Sequence, residues 1–375
     1  MTQTSTASHP ESAACVLCGK CLEACPLLAA TGREELSPRA KAVLAERGPV
    51  PAAEALARIC LGCGRCKEAC PQDADIPALV AQLRAAHPDF RRWLWKASLA
   101  KGGALQPLAA AAARLAPEDF LRQHLGSLLK AVKSLAKPGC APFLKIESLP
   151  RDRRGQRAAL FAGCAGTRLA PRWADAANGL LDRLGLARVE PGFQCCGSPL
   201  GTAGLLPERD AARAANVAAW RAAGRPLLAV FCSSCRAGLA AYPLEAFENA
   251  TEQAAWTAAL TPLSTLLQGA RFVLTREPGG LAWHSACHAT APDPDLDLLR
   301  SVPGLALEVP EARCCGFGGV LQLAAPNLAA SVAARRWENL GATALTGCTA
   351  CAMQLAATAP EGASAAHWLD ALETA

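Results

Sequence analysis

Eighteen of the nineteen cysteines in the chain fall into two kinds of spaced array. Cys15, Cys18, Cys21 and Cys25, closed by Pro26, form C-x-x-C-x-x-C-x-x-x-C-P, and Cys60, Cys63, Cys66 and Cys70, closed by Pro71, repeat it. Three thiolates at i, i+3 and i+6 on a turn cap three corners of an iron–sulfur cube. The fourth, before the proline, reaches the other cluster in two-cluster proteins. That pairing groups Cys15, Cys18 and Cys21 with Cys70, and Cys60, Cys63 and Cys66 with Cys25. Gly19, Gly62 and Gly64 permit tight backbone approach to sulfur. Two structural zinc sites are the competing reading, but zinc favours isolated C-x-x-C pairs around one four-ligand centre. Cubane clusters fully ligated by cysteine transfer single electrons and rarely do bond chemistry.

The second array is longer. Cys164, then Cys195-Cys196-Gly197, then Cys232-x-x-Cys235 recurs as Cys287, Cys314-Cys315-Gly316 and Cys348-x-x-Cys351, at offsets of 123, 119 and 116 residues. Five soft ligands exceed what one zinc accepts, and adjacent cysteines suit bridging between irons. The spacing by itself shows a soft-metal site. His284 and His288 flank Cys287, either to tune a metal site or carry a proton, or as satisfied structural histidines. Arg313 stands before the second pair, as a charge offset or as an ordinary surface arginine. Cys140 is left over in a Pro/Gly loop and reads as a free thiol. No residue is assigned a catalytic role.

These cysteines need elements to hold them. Residues 1–86 read as short helices between cysteine loops, and residues 87–150 as amphipathic helices broken at Gly102-Gly103, Pro107, Pro117 and Pro138. From 157 onward apolar runs alternate with helical periodicity. Arg157–Ala162 ends at Cys164, Pro226–Phe231 at Cys232, Gly280–Ala286 at Cys287, and Ala342–Thr346 just before Cys348, while Pro171–Leu184 and Glu208–Ala223 read as helices. Strands alternating with helices imply parallel βα units, whose ligands bind beyond the carboxyl ends of the strands. That is where the cysteines stand.

The C-x30-C-C-G-x34-C-x-x-C pattern, repeated as C-x26-C-C-G-x31-C-x-x-C, resembles the cysteine-rich CCG domain of the heterodisulfide reductases. Joined to the N-terminal motifs, the layout resembles the iron–sulfur subunit of glycolate oxidase and of related D-lactate and glycerol-3-phosphate dehydrogenases. The likeness covers roughly residues 13–83 and 158–360, with SPRAKAVL (37–44), LDRLG (181–185) and HSACH (284–288) as local matches. It implies two [4Fe-4S] cubanes and one or two further iron–sulfur clusters, non-cubane in the reductase family, with five thiolates per CCG set. One set would be Cys164, Cys195, Cys196, Cys232 and Cys235; the other Cys287, Cys314, Cys315, Cys348 and Cys351.

The expected fold is α+β and multi-domain: a helical two-cluster ferredoxin-like domain at 1–86, a basic helical linker at 87–157, and two pseudo-repeated α/β CCG domains at 158–272 and 273–375. Composition agrees. The chain of 375 residues is 51% hydrophobic and 19% charged, which argues against global disorder. Met1 to Ala14 is polar and unlike a secretory signal, so the expected compartment is the cytoplasm, where thiols stay reduced and serve metals. The net charge is +6, yet residues 87–157 alone carry +9. There Arg91, Arg92, Trp93, Trp95 and Lys96 form a basic-aromatic cluster suited to a peripheral contact with the inner face of the membrane, to a partner, or to solvent. Few aromatics interleave the basic residues, against nucleic-acid binding. No G-x-G-x-x-G or P-loop occurs, so flavin, nicotinamide and ATP have no evident home. The expected role is therefore electron transfer from a FAD-containing dehydrogenase subunit, acting on glycolate or D-lactate, to a quinone or another carrier. The alternatives are a heterodisulfide-reductase-type subunit doing thiol–disulfide chemistry at its CCG site, and a metal-binding scaffold for redox-complex assembly.

Overall fold

The computed structural model describes residues 15–46, 51–87, 133–135, 137–150, 152–319 and 321–373. The cluster of Arg91, Arg92, Trp93, Trp95 and Lys96, with most of the basic linker, lies outside them. The chain divides into two compact units. The first joins the N-terminal cysteine segment to Pro199–Leu206 and Gly316–Arg335; the second holds the rest of both CCG segments.

The first unit is helical: α1 (Pro26–Thr31), α2 (Pro38–Glu46), α3 (Pro51–Arg58), α4 (Arg65–Glu68) and α5 (Ile76–Ala86). Prolines at or near the first helical position start α1, α2, α3 and α5, where the missing N–H costs nothing. Asp75 caps α5 by accepting a hydrogen bond from the Ala78 N–H at 2.9 Å. A small core of Ala42, Ala45, Ala57, Ala74, Ile76, Leu79, Val80 and Leu83 forms between the helices, and Cys15, Cys60, Cys66 and Cys70 pack against it. Alanine dominates because the helices must approach closely enough to bring two separate cysteine loops together.

The second unit contains two four-stranded parallel sheets. Strands β2 (Arg157–Phe161), β3 (Ala187–Arg188), β4 (Leu227–Val230) and β5 (Leu260–Pro262) are ordered β3-β2-β4-β5. Strands β7 (Leu281–Trp283), β8 (Leu307–Glu308), β9 (Thr343–Thr346) and β10 (Ser364–His367) are ordered β8-β7-β9-β10. The registers correspond as well. Ala158 faces Leu227 in one sheet and Leu281 faces Thr343 in the other, displaced by the same 123 and 116 residues as the cysteines. The strands are short apolar runs because helices cover both faces of such sheets. Buried Phe161, Leu228, Val230, Trp283 and Leu345 form their centres.

One expectation is corrected. The tract before residue 150, read as helical, contains β1 (Leu144–Ser148), which pairs antiparallel with β6 (Arg271–Leu274). The alternation in Leu144-Lys145-Ile146-Glu147 is a strand pattern, with Leu144 and Ile146 buried and Lys145 and Glu147 exposed. Gly280–Ala286 is also shorter than expected, because only Leu281–Trp283 pairs as a strand and the residues after it turn toward the cysteine loop.

A tryptophan and tyrosine stack supports the first sheet: the Trp220 and Trp256 rings meet edge to face at 5.3 Å, and Tyr242 stacks on Trp256 at 5.4 Å. Beside them the buried Glu252 carboxylate accepts two hydrogen bonds from Arg221 (2.8 and 2.7 Å), one from Arg225 (3.0 Å) and one from the Glu248 N–H (2.9 Å). The Arg221 bonds above all, against burial, hold the Glu252 carboxyl down to about 2. A carboxylate whose folded value is depressed stabilises the fold above the ordinary glutamate value of about 4.3, and loses that contribution as pH falls toward the folded value. Glu252→Gln is therefore expected to lower stability by about 1 kcal/mol at pH 7, the half-exposed arginines being screened by solvent. The difference from wild type in denaturant midpoint should shrink once the pH drops below about 4.

Candidate metal centres

In the first unit the cysteine loops gather into two pockets. Cys15, Cys18, Cys21 and Cys70 line one of about 320 Å³, together with Leu17, Gly19 and Arg39. Cys25, Cys60, Cys63 and Cys66 line the other, of about 380 Å³, with Leu27, Leu61 and Ile76. Each pocket thus takes three thiols from one motif and the proline-side thiol from the other. Electrostatics follow the same grouping for the most part, although Cys21 also raises Cys66 across the two pockets. Burial pushes the Cys21 thiol up, helped by repulsion from Cys15, Cys18 and Cys70. Burial also pushes Cys63 and Cys66 up to about 12, with Cys60 adding to both and Cys25 to Cys66. Thiols held this high stay protonated at neutral pH unless a cation displaces the proton, so a bound metal would supply the compensating charge. Backbone N–H groups already point at sulfur: Gly62 donates to Cys60 Sγ and Ala74 to Cys70 Sγ, both at 3.4 Å.

Arg84, which no sequence motif singles out, braces this region. Its buried guanidinium donates to the carbonyls of Ala57 (2.8 Å), Arg58 (3.2 Å), Cys60 (2.9 Å) and Thr202. An arginine at a core position of the largely apolar α5 was the available signal.

In the second unit the cysteines stand just past the carboxyl ends of the strands: Cys164 after β2, Cys232 after β4, Cys287 after β7 and Cys348 after β9. The thiols act on one another's protonation as a series, from Cys164 through Cys195, Cys196, Cys235 and Cys232, across to Cys348, and on through Cys351, Cys315 and Cys314. The two five-cysteine sets therefore meet at Cys232 and Cys348, where each sulfur contacts a hydroxyl from the other set's loop, Thr349 for Cys232 and Ser234 for Cys348. Within the series the neighbouring thiols hold Cys164, Cys196, Cys232 and Cys315 below the ordinary thiol range and push Cys195, Cys235, Cys348 and Cys351 above it. Cys287 is half-buried, 3.6 Å from His288 Nδ1.

Hydroxyls and close-packed glycines surround the sulfurs. Thr349 Oγ1 lies 3.3 Å from Cys232 Sγ, and Ser234 Oγ lies 3.0 Å from Cys348 Sγ and 3.4 Å from His288 Nδ1. Gly163, at φ +65°, leaves room for sulfur, since a Cβ there would stand 2.8 Å from Cys235 Sγ. Asn216 and Tyr242 hold the first cysteine pair. Asn216 Nδ2 donates to the Cys195 carbonyl at 3.0 Å, and the Tyr242 hydroxyl donates to that of Cys196 at 3.2 Å. His284 is buried, with ring nitrogen and the sulfurs of Cys315 and Cys351 within 4.8 Å of one another. Arg313 pairs with Glu338 at 2.9 Å, as a surface arginine would. Burial pushes the half-buried Cys140 thiol up to about 12, which makes it unreactive at neutral pH.

The donors fit iron–sulfur clusters. They are soft thiols in sets of four and five, with N–H and hydroxyl donors directed at sulfur and an apolar shell behind them. In the first unit, Cys25→Ser is expected to weaken the cluster held with Cys60, Cys63 and Cys66 and to spare the one beside Cys15, Cys18 and Cys21. Electron paramagnetic resonance that resolves the two cubanes checks this; loss confined to the Cys15 pocket would refute the crossed grouping.

Comparison with known proteins agrees at the level of domains. Residues 11–74 match the family model of a 4Fe-4S dicluster domain, and residues 158–240 and 281–356 each match that of the cysteine-rich CCG domain. No curated protein matches the chain. Among the described residues, no helix is long and apolar enough to cross a membrane. The chain thus joins a 4Fe-4S dicluster domain to CCG cysteine-rich domains, the make-up of an iron–sulfur electron-transfer subunit of oxidoreductase type.

Proposed function

We propose that this chain is the iron–sulfur subunit of a flavin-dependent 2-hydroxyacid dehydrogenase of glycolate or D-lactate type, with both CCG segments as copies of one unit. The observation that carries the reading is the union, in one chain, of two four-cysteine pockets with two complete five-cysteine sets that meet at Cys232 and Cys348. Bound there, iron–sulfur clusters would supply one-electron transfer between a FAD-containing dehydrogenase subunit and a quinone or another carrier. Cys15, Cys18, Cys21 and Cys70 would hold one cubane, and Cys25, Cys60, Cys63 and Cys66 the other. Cys164, Cys195, Cys196, Cys232 and Cys235 would form one further site, and Cys287, Cys314, Cys315, Cys348 and Cys351 the second. Their neighbours orient them. Arg84 fixes the backbone at Cys60, while Asn216 and Tyr242 fix Cys195 and Cys196. The basic cluster at 91–96 would keep the chain at the inner face of the cytoplasmic membrane.

A second reading, heterodisulfide-reductase-type thiol chemistry, draws on the Cys232–Cys348 contact, where a disulfide substrate would meet sulfur ligands of both sets.

Anaerobic metal analysis tests the common ground. Four four-iron sites give about sixteen irons per chain. About eight would mean that the CCG sets hold no iron, and zinc in place of iron would overturn the reading. Co-purification with the native partner, followed by addition of glycolate, D-lactate or a disulfide, separates the two readings. Bleaching of the visible cluster absorption by a hydroxyacid supports the first, whereas response to the disulfide alone supports the second.

A further inference from the structure

His284 has the position of a ligand and the hydrogen bonding of a donor. Its ring lies with Cys315 and Cys351 in a group whose ligating atoms are within 4.8 Å of one another, a spacing that a metal ion would accept. Its Nδ1, however, accepts a hydrogen bond from Arg336 Nε at 2.8 Å. Guanidinium can only donate, so the lone pair of Nδ1 is committed to Arg336. A neutral imidazole in that bond carries its hydrogen on Nε2, the nitrogen left for the cysteine side. Ligation through Nε2 would then need an imidazolate, whereas donation to a thiolate needs nothing further. Arg336 is itself immobilised: it is fully buried and also donates to the carbonyls of Glu311 (2.7 Å) and Trp283 (3.2 Å) and to Asn339 Oδ1 (2.9 Å).

We propose that His284 donates an Nε2–H hydrogen bond to the Cys315 thiolate, is held in that tautomer by Arg336, and raises the reduction potential of the second cysteine set. The inference rests on the iron–sulfur reading of that set. A donor aimed at a ligand sulfur stabilises the more negative, reduced state, and hydrogen bonds to sulfur are among the levers that set cluster potentials. Of the two sulfurs in the group, Cys315 is the one whose surroundings include the His284 imidazole as a direct influence. The first set lacks this device at the matching place. Phe161 stands three residues before Cys164 as His284 stands three before Cys287, each following the same register of its parallel strand pair. His284 is thus a tuning donor to the metal ligand, and Arg336 a positioning residue that acts through it.

Redox titration of the full-length holoprotein, followed by electron paramagnetic resonance, tests this with His284→Phe, His284→Gln and Arg336→Met, alongside iron and sulfide analysis of each. His284→Phe puts at this place the side chain that the first set carries. It should shift the midpoint of the second-set signal to more negative potential by about tenfold in the one-electron equilibrium, about 59 mV. Arg336→Met should move the same signal in the same direction, and His284→Gln, whose amide N–H reaches the Nε2 position, should restore it. Iron content and the other signals should not change. Independently of iron, nitrogen NMR of apoprotein labelled at its six histidines should show His284 with hydrogen on Nε2. An unchanged second-set midpoint in His284→Phe with full iron overturns the inference, as does an Nδ1–H tautomer. Loss of second-set iron in both His284 variants makes His284 a ligand and overturns it too. Wild-type protein with iron only in the cubanes would instead overturn the reading of the set itself.

Discussion

Two parallel sheets meeting at their carboxyl ends set the chemistry of the second unit. Just past β4, the Ser233 N–H donates to the Gly347 carbonyl at 2.9 Å, and the Ser233 hydroxyl donates to the same oxygen at 3.0 Å. His367, at the end of β10, hydrogen-bonds the Phe231 carbonyl at 3.1 Å. The carboxyl end of a parallel strand is where loops are free to carry ligands. Abutting two such ends places Cys232 of one set against Cys348 of the other. If the sheets met through their helices, as layered α/β units commonly do, the same ten cysteines would form two remote sites.

Holding the ends together requires polar groups inside the unit, and Asp370 and His367 both find partners there. Asp370, with its side chain 2% exposed, accepts from Arg172 Nε at 2.7 Å and from Trp173 Nε1 at 2.8 Å. This ties the final 3-10 turn to the helix Arg172–Arg183 that follows β2. His367 is packed between the Trp173 and Phe231 rings, with burial lowering its pKa, so it serves as a neutral hydrogen-bonding post. Breaking one partner of such a buried pair costs more than the pair contributes, because the survivor is left without compensation.

Thiols supply the remaining logic. A buried thiol packs as a small apolar group, and only a metal or a neighbouring donor stabilises its anion in that environment. The four-cysteine pockets sit against an alanine and leucine core that offers little compensation, and there Cys63 and Cys66 are pushed to about 12. The five-cysteine sets instead lie among hydroxyls, an imidazole and each other, with their proton affinities spread in both directions. Two electrostatic settings for the same ligand type are a physical basis for two kinds of cluster with separate potentials.

The spacing of the cysteines was legible because a turn of seven residues determines by itself which three thiols converge. The alternation of strand and helix was legible because β2, β4, β7 and β9 are short apolar runs ending near cysteines. Strand β1 was not, since its alternating pattern acquires meaning only beside Arg271–Leu274, more than 120 residues away. Arg336 was hidden in the same way. Ala329, Val332, Ala333 and Arg336 share the buried side of one helix, yet nothing in the local chain says that the arginine meets His284. Ligand type, ligand number and strand–helix order are local properties, so the sequence alone determined them. Which sets touch, and which nitrogen of His284 holds the hydrogen, depend on bonds between residues 52 to 117 positions apart, and only the tertiary structure decided them.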